Sequence, residues 1–457
     1  MSQPARAPYA ALKHASFRYF LAGNFLSTVG RQALTIAATW QIYQWTNSAT
    51  ALGLVGLVNV VPLLALALPA GVIADRVDRR VILQRGMAAS AVLSGALMAL
   101  TYYHASIPDW PVLRAANEGL RAIALFFERQ TDPASLRFDH AALPLVYLVL
   151  GANAAVRVLS NPARGAIVPL LVPTSSLGNA ITWSSSAFEL STVVGPALGG
   201  LIVALSGYAA VYAFDMVACI TFGLLMLGVK FTKAPAPPTK NRPATLGGLL
   251  FIWRNPRVLA AMSLDLFAVV LGGATTLLPI YADKILHVGP AGLGWLRAAP
   301  ALGAITMAML IAHRPPAKRP GTLMLWSVAG FGAAIGVFSI STSVWLSLVA
   351  LFLTGAFDNV SVVVRQSLVQ LMTPEALRGR VTAVSQLFVG SSNEISSLRA
   401  GLSAALFGPV LAAGVGGLGT IAVAAAVGFL VPSLRRLPPL HEIRPENETD
   451  PKQYKTG

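Results

Sequence analysis

The chain has 457 residues, of which 55% are hydrophobic and only 11% charged, with a mean hydropathy of +0.65. About a quarter of a soluble domain is charged, so this composition excludes one and indicates a polytopic membrane protein. The formal net charge of +16 is not that of a nucleic-acid binder, because the basic residues lie between apolar runs instead of clustering with aromatics on a polar face.

Residues 1–16 are polar and precede a first apolar run of full spanning length, so a cytoplasmic N-terminus without a cleavable leader is expected. About twenty apolar residues cross the hydrocarbon. On that measure spans are predicted at 17–45, 51–74, 81–104, 142–161, 179–205, 207–229, 257–282, 290–312, 321–341, 343–371, 382–412 and 414–433. The fold class is therefore all-α integral membrane, with twelve transmembrane helices in two six-helix bundles. Connections after spans 1, 5, 9 and 11 are short and uncharged, whereas Arg76, Arg79, Arg80, Lys233, Lys240, Arg242, Arg254, Arg314, Lys318, Arg319, Arg378 and Arg380 fall in the alternate connections. Positive-inside orientation then puts both termini in the cytoplasm, and Ala-rich spans with 26 Arg against 8 Lys fit a bacterial genome, so the inner membrane is the expected location.

Between spans 2 and 3 lies Gly71 to Arg80, GVIADRVDRR, a knot of charge between uncharged runs. Arginines alone would serve as a topological anchor; Gly71 and Asp75 suggest more, a breakable cytoplasmic latch in which Gly71 allows close helix contact and Asp75 caps a helix N-terminus. Arg76, Arg79 and Arg80 can pair with carboxylates or lipid phosphates.

The outer loop, 105–141, is long for its kind. In it Leu113, Ala116, Leu120, Ile123 and Phe127 recur at helical spacing, with Arg114, Glu118 and Arg121 on the other face. An interfacial helix on the outer leaflet fits this pattern, and so does a plain solvated cap.

Span 5 contains Gly195-Pro196-Ala-Leu-Gly199-Gly200. Pro196 cannot donate to the Thr192 carbonyl and is expected to kink the helix, while the glycines admit a close neighbour. Residues 231–256, Pro-rich and basic, are read as a cytoplasmic linker between an N-terminal bundle, 17–230, and a C-terminal bundle, 257–433. The tail 434–457 is polar. An internal repeat supports two halves: Arg164-x-x-x-Val168-x-Leu170-x-x-Pro173 recurs as Arg365-x-x-x-Val369-x-Leu371-x-x-Pro374. Seven residues earlier the copies carry opposite charges, Arg157 and Asp358.

Ionisable groups inside apolar spans are expensive unless paired or wet, so they are functional candidates. Arg31, Glu189, Asp215, Asp265, Arg297, Asp358, Glu394 and Arg399 qualify, with Arg157 nearer the cytoplasm. Structural salt bridges are the competing explanation for each. The lone cysteine, Cys219, excludes a disulfide framework, and neither H-E-x-x-H nor G-x-x-x-x-G-K-[ST] occurs. An enzyme, a metal site and direct ATP drive are therefore not expected.

The hairpin resembles the G-x-x-x-D-R-x-x-R-R signature of the major facilitator superfamily, and Gly195 to Gly200 resembles its G-P-x-x-G-G antiporter motif. SLDLFAVVLGGATTLLPIYA from Ser263, VGPAGLGWLRAAPALGA from Val288, DNVSVVVRQSLVQLMTP from Asp358 and LRGRVTAVSQLFVGSSNE from Leu377 are similar to the enterobactin-exporter-like bacterial branch of its drug:proton antiporters. The resemblance implies alternating access with helices 1, 4, 7 and 10 around the cavity, which singles out Arg31, Arg157, Asp265 and Asp358. Asp358 is the first candidate for proton coupling and Asp265 the second; Glu189 and Asp215 complete the set. Arg399, where an acidic residue is expected, departs from the pattern. The expected function is proton-driven export of a small amphipathic molecule such as a siderophore, drug or metabolite, by a monomer among membrane lipids with no cofactor beyond the proton gradient. A lipid or lysolipid flippase and a non-transporting membrane receptor are the alternatives.

Overall fold

The computed structural model describes residues 9–129, 132–231, 244–313, 319–439 and 442. The N-terminal residues 1–8, residues 232–243 of the linker and most of the polar tail lie outside them. With no water in hydrocarbon, each spanning backbone must satisfy its own N–H and C=O groups, and helices do so. The first half comprises α1 (Ala15–Thr46), α2 (Ala49–Arg76), α3 (Arg79–Tyr102), α4 (Pro111–Phe127), α5 (Leu143–Leu171) and α6 (Leu177–Leu225). The second comprises α7 (Ala244–Arg254), α8 (Pro256–Gly272), α9 (Leu278–Ile280), α10 (Gly289–Ala312), α11 (Pro320–Ile340), α12 (Val344–Met372), α13 (Glu375–Phe407), α14 (Pro409–Leu430) and α15 (Pro432–Arg435). Among the described residues nine stretches are long and apolar enough to span. One of them, Thr174–Gly228, holds two spans, and the more polar α1 and α13 bring the layout to the twelve expected.

Several boundaries differ from the expected ones. Between spans 5 and 6 the boundary is as expected: α6 breaks at Gly207, with φ +79° and ψ −177°, a conformation essentially reserved for glycine. The helical φ/ψ continue through Pro196. The break between spans 11 and 12 falls at Gly408, φ +83°, rather than near residue 413. The linker is not all coil: α7 packs on α13 and buries Phe251 and Ile252. Span 4 extends to Leu171, which places Arg164 within the helix.

The chain packs as two units, Met1–Thr239 with Pro279–Ala298, and Lys240–Leu278 with Ala299–Gly457. In the first, α6 lies along α1 and α3, and α5 along α2 and α3. Apolar burial drives little association in lipid, so close backbone packing must supply it. A Cβ at Gly199 would sit 2.6 Å from Ala33 Cα, and one at Gly195 2.9 Å from the Val29 carbonyl. Gly200 abuts Pro290 and Gly294 in the same way, so this motif seats helices tightly whatever its proline does. In the second unit, α11 packs against α12 and α14, and α8 against α13 and α14, around Leu264, Met324, Leu368 and Val384.

The outer loop folds as a cap on the ends of α2 and α5. Leu113, Asn117 and Ala124 face inward, while Val112, Ile123, Leu125 and Phe126 are exposed. Arg114 pairs with Asp109 at 2.6 Å, outside the helix, rather than along it. The buried Glu128 carboxylate accepts from Ser48 Oγ at 2.8 Å and Thr50 N at 3.0 Å, satisfying donors at the start of α2. Asn117 Nδ2 donates to the His140 carbonyl at 3.0 Å, and the His140 ring stacks on Trp45 with centroids 4.6 Å apart. Burial, and secondarily His104, push the His140 imidazole below its ordinary value of 6.5, against an opposing effect of Asp139. A released cap therefore binds protons more readily than a docked one, and docking weakens as pH falls from 6.5 through the lowered value. Amide exchange of residues 111–127, corrected for intrinsic rate, should accelerate in that window, and His140→Phe should abolish the acceleration.

Candidate functional site

Two clusters of charge lie inside the helices, one in each unit. In the second unit, Asp265 of α8 and Arg365 of α12 form a salt bridge, Arg365 Nη1 to Asp265 Oδ2 at 3.1 Å, with side chains 8% and 6% exposed. Asp358 lies seven residues, two turns, before Arg365 on α12, and the charges bearing on it are those of Asp265 and Arg365. The Arg365 guanidinium thus pairs with Asp265, and its charge also bears on Asp358. A buried pair of this kind gains only modestly over apolar packing, but removal of one partner leaves an uncompensated charge. Arg365 Nε is buried without a hydrogen-bond partner, so this polar site is not fully satisfied.

In the first unit, Arg31 and Arg157 line a cavity of about 60 Å³ bounded by α1, α2 and α5, with Thr35, Thr39, Asn59 and Asn153 among its walls. Arg31, Thr35 and Thr39 follow at four-residue steps and so share one face of α1; Asn153 and Arg157 do the same on α5. Deeper in the bundle, Asp215 of α6 accepts from Ser94 Oγ at 2.6 Å, and its second oxygen has no hydrogen-bond partner. Arg164 donates to Asn24 Oδ1 at 3.1 Å and lies over the Phe222 ring at 5.7 Å. The charged groups bearing on Arg31 are Arg164, Arg157 and Asp215.

The sequence candidates therefore separate. Asp265 with Asp358, and Arg31 with Arg157 and Asp215, are brought together; Glu189 stands apart from both clusters, with only burial acting on its carboxyl. In the hairpin, Arg79 donates to the Ala166 carbonyl at 3.0 Å and Arg80 to the Leu227 carbonyl at 2.6 Å, so both bind backbone carbonyls of their own bundle. Asp78 caps α3 through Arg80 N at 2.8 Å. A Cβ at Gly71 would meet nothing within 4 Å, so the close contact expected there is not made, and Arg76 is exposed. The Asp75 side chain lies outside the described residues.

Sequence reasoning did not assign Arg164 and Arg365 a role at these sites, although it had marked both as the repeat. The structure extends that repeat to contacts: Arg164 with Asn24 of α1 matches Arg365 with Asp265 of α8. The offsets are 201 and 241 positions, and their 40-position difference is about the length of the outer loop that only the first half carries. The same helix-to-helix contact is neutral in one half and ionic in the other.

The family model of the Major Facilitator Superfamily matches residues 20–393. The chain belongs to the major facilitator superfamily. Its curated relatives include the enterobactin exporters EntS of Citrobacter koseri and Shigella boydii, each 27% identical over 428 residues and 93% of both chains. Among solved structures, an inward-facing bacterial homologue of the lysosomal transporter Spinster is similar with a TM-score of 0.63, at 15% identity over 95% of this chain and 98% of that one. A bacterial homologue of the iron transporter ferroportin aligns with a TM-score of 0.64, at 14% identity over 92% and 99%. At these identities the structural likeness concerns the fold alone. This superfamily member is thus a multi-pass membrane transporter, not an enzyme.

The ion pair makes a test of which charge depends on which. Arg365→Leu should cost about 3–5 kcal/mol of stability, since Asp265 is left buried and alone, and Asp265→Leu/Arg365→Leu should recover most of it. Thermal unfolding in detergent of the single and double variants measures the difference.

Proposed function

We propose that this transporter exports a small amphipathic molecule from the bacterial cytoplasm by alternating access coupled to proton influx, from an inner membrane with both termini cytoplasmic. The observation that carries the reading is the pair of carboxylates, Asp265 and Asp358, beside the single Arg365. With both ionised the cluster has an excess negative charge, tolerable where water reaches it. One proton brings it to neutrality, a state that can be enclosed in a medium of low dielectric. A proton taken from the outside would thus permit reorientation, and its loss to the cytoplasm would complete the cycle. Arg365 holds the carboxylate that remains charged. The export direction is supported by the EntS relatives and by the Gly195 to Gly200 motif, and the relatives make a siderophore the first substrate class to try.

Proteoliposomes with a lumen acid relative to the bath should accumulate enterobactin or a member of a drug panel. Asp358→Asn should abolish gradient-driven accumulation while sparing exchange without a gradient. Accumulation that ignores the gradient, or an Asp358→Asn variant equal to wild type, would sink the reading.

A lipid or lysolipid substrate is the second reading, favoured by the apolar outward face of α4. Val112→Ser/Phe126→Ser should then reduce lipid transfer at least several-fold, measured with a fluorescent lysolipid. On the first reading it leaves soluble-compound export intact.

A further inference from the structure

We infer that the cavity between α1, α2 and α5 is a subsite for an anionic group of the transported molecule, with Arg31 and Arg157 as its charged walls. Its assignment to a transported substrate rests on the reading above; the binding chemistry rests on the first unit alone. No acidic side chain lines the cavity among the described residues, and two guanidiniums do. Around Arg31, Arg157 and Arg164 add positive charge and Asp215 opposes it. Asp215 is held on α3 through Ser94, away from the cavity wall. An excess of positive charge within apolar helices is costly, and an incoming anion relieves it.

The remaining polar walls fit the same occupant. Thr35 and Thr39 spend their hydroxyl protons on the carbonyls of Arg31 and Thr35, at 3.0 and 2.8 Å, so they are not donors to a ligand. The Asn153 oxygen accepts from Ser90 Oγ at 3.4 Å, which leaves its NH2 group as the donor on that wall. The donors are then the guanidiniums and the amide NH2 groups of Asn59 and Asn153, a set that matches a carboxylate, a phosphate or an ionised catechol. The cavity has room for such a head group.

The probes are 2-naphthoate, 2-naphthyl phosphate and 2,3-dihydroxynaphthalene, with 2-naphthamide as the uncharged control. Binding is measured by calorimetry on full-length protein in phosphatidylcholine nanodiscs. At least one anionic probe should bind ten-fold or more tightly than the amide. Arg31→Gln and Arg157→Gln should each weaken it ten-fold or more, while Arg31→Lys, which keeps the charge, should lose only a few-fold. Addition of phosphatidylglycerol separates the sources of the anion: competition assigns the site to a lipid headgroup, and its absence assigns it to a free anion. Equal binding of the amide, indifference to Arg31→Gln in a monodisperse variant, or no binding of any of the three anions overturns the inference. Wild-type protein that binds the anion and loses it with Arg31→Gln, yet moves no substrate in a proton gradient, keeps the subsite and sinks only the coupling, so the two failures register in different measurements.

Discussion

Hydrocarbon offers a charged side chain no partner but another side chain or a water-filled pocket, and the arrangement of both bundles follows from that constraint. In the second unit it is met by the Asp265–Arg365 bridge, which ties α8 to α12 through groups less than 10% exposed. That bridge leaves Asp358 as an additional negative charge two turns away. In the first unit the constraint is met differently. Asp215 is held by Ser94, Arg164 by Asn24 and Phe222, and Arg31 with Arg157 opens on a cavity. The helices could not pack as apolar cylinders around these groups, so each cluster fixes its neighbours as firmly as the glycine contacts do.

The two halves are copies that have kept a contact and changed its charge. Arg164 and Arg365 occupy matching places, and each reaches across to the helix that opens its bundle. Substitution of a neutral amide, Asn24, where the other copy has Asp265 removes the acid from that position in the first half. With Arg157 standing where the other copy has Asp358, the first cluster is left rich in positive charge and the second rich in negative charge. A single ancestral layout thereby yields a place suited to an anion and a place suited to a proton.

Packing in the membrane also explains where glycine and proline act. Gly195, Gly199 and Gly200 allow backbones to meet, whereas Pro196 between them leaves the helical φ/ψ intact. The turn of the long α6 is made at Gly207, because its φ of +79° is open to glycine and strained for any other residue. Arg79 and Arg80 likewise do the plain work of binding backbone carbonyls, Ala166 within α5 and Leu227 just past the end of α6.

Apolar runs of spanning length and the placement of arginines were enough to determine twelve helices, because a bilayer imposes one length and one satisfied backbone on every span. The repeat at Arg164 and Arg365 was also legible, and so were the ionisable residues inside the spans, since charge in an apolar run stands out in any register. What the sequence could not determine was partnership. Whether Asp265 faces Arg365 or Asp358, and whether Arg31 meets Asp215 or a cavity, depends on helix rotation. A rotation of one residue, about 100°, moves a side chain from the lipid to the bundle interior. The end of span 11 escaped too, because apolar composition continues smoothly through Gly408 while the backbone does not. Only the packed bundles decide those points, through contacts between residues a hundred or more positions apart.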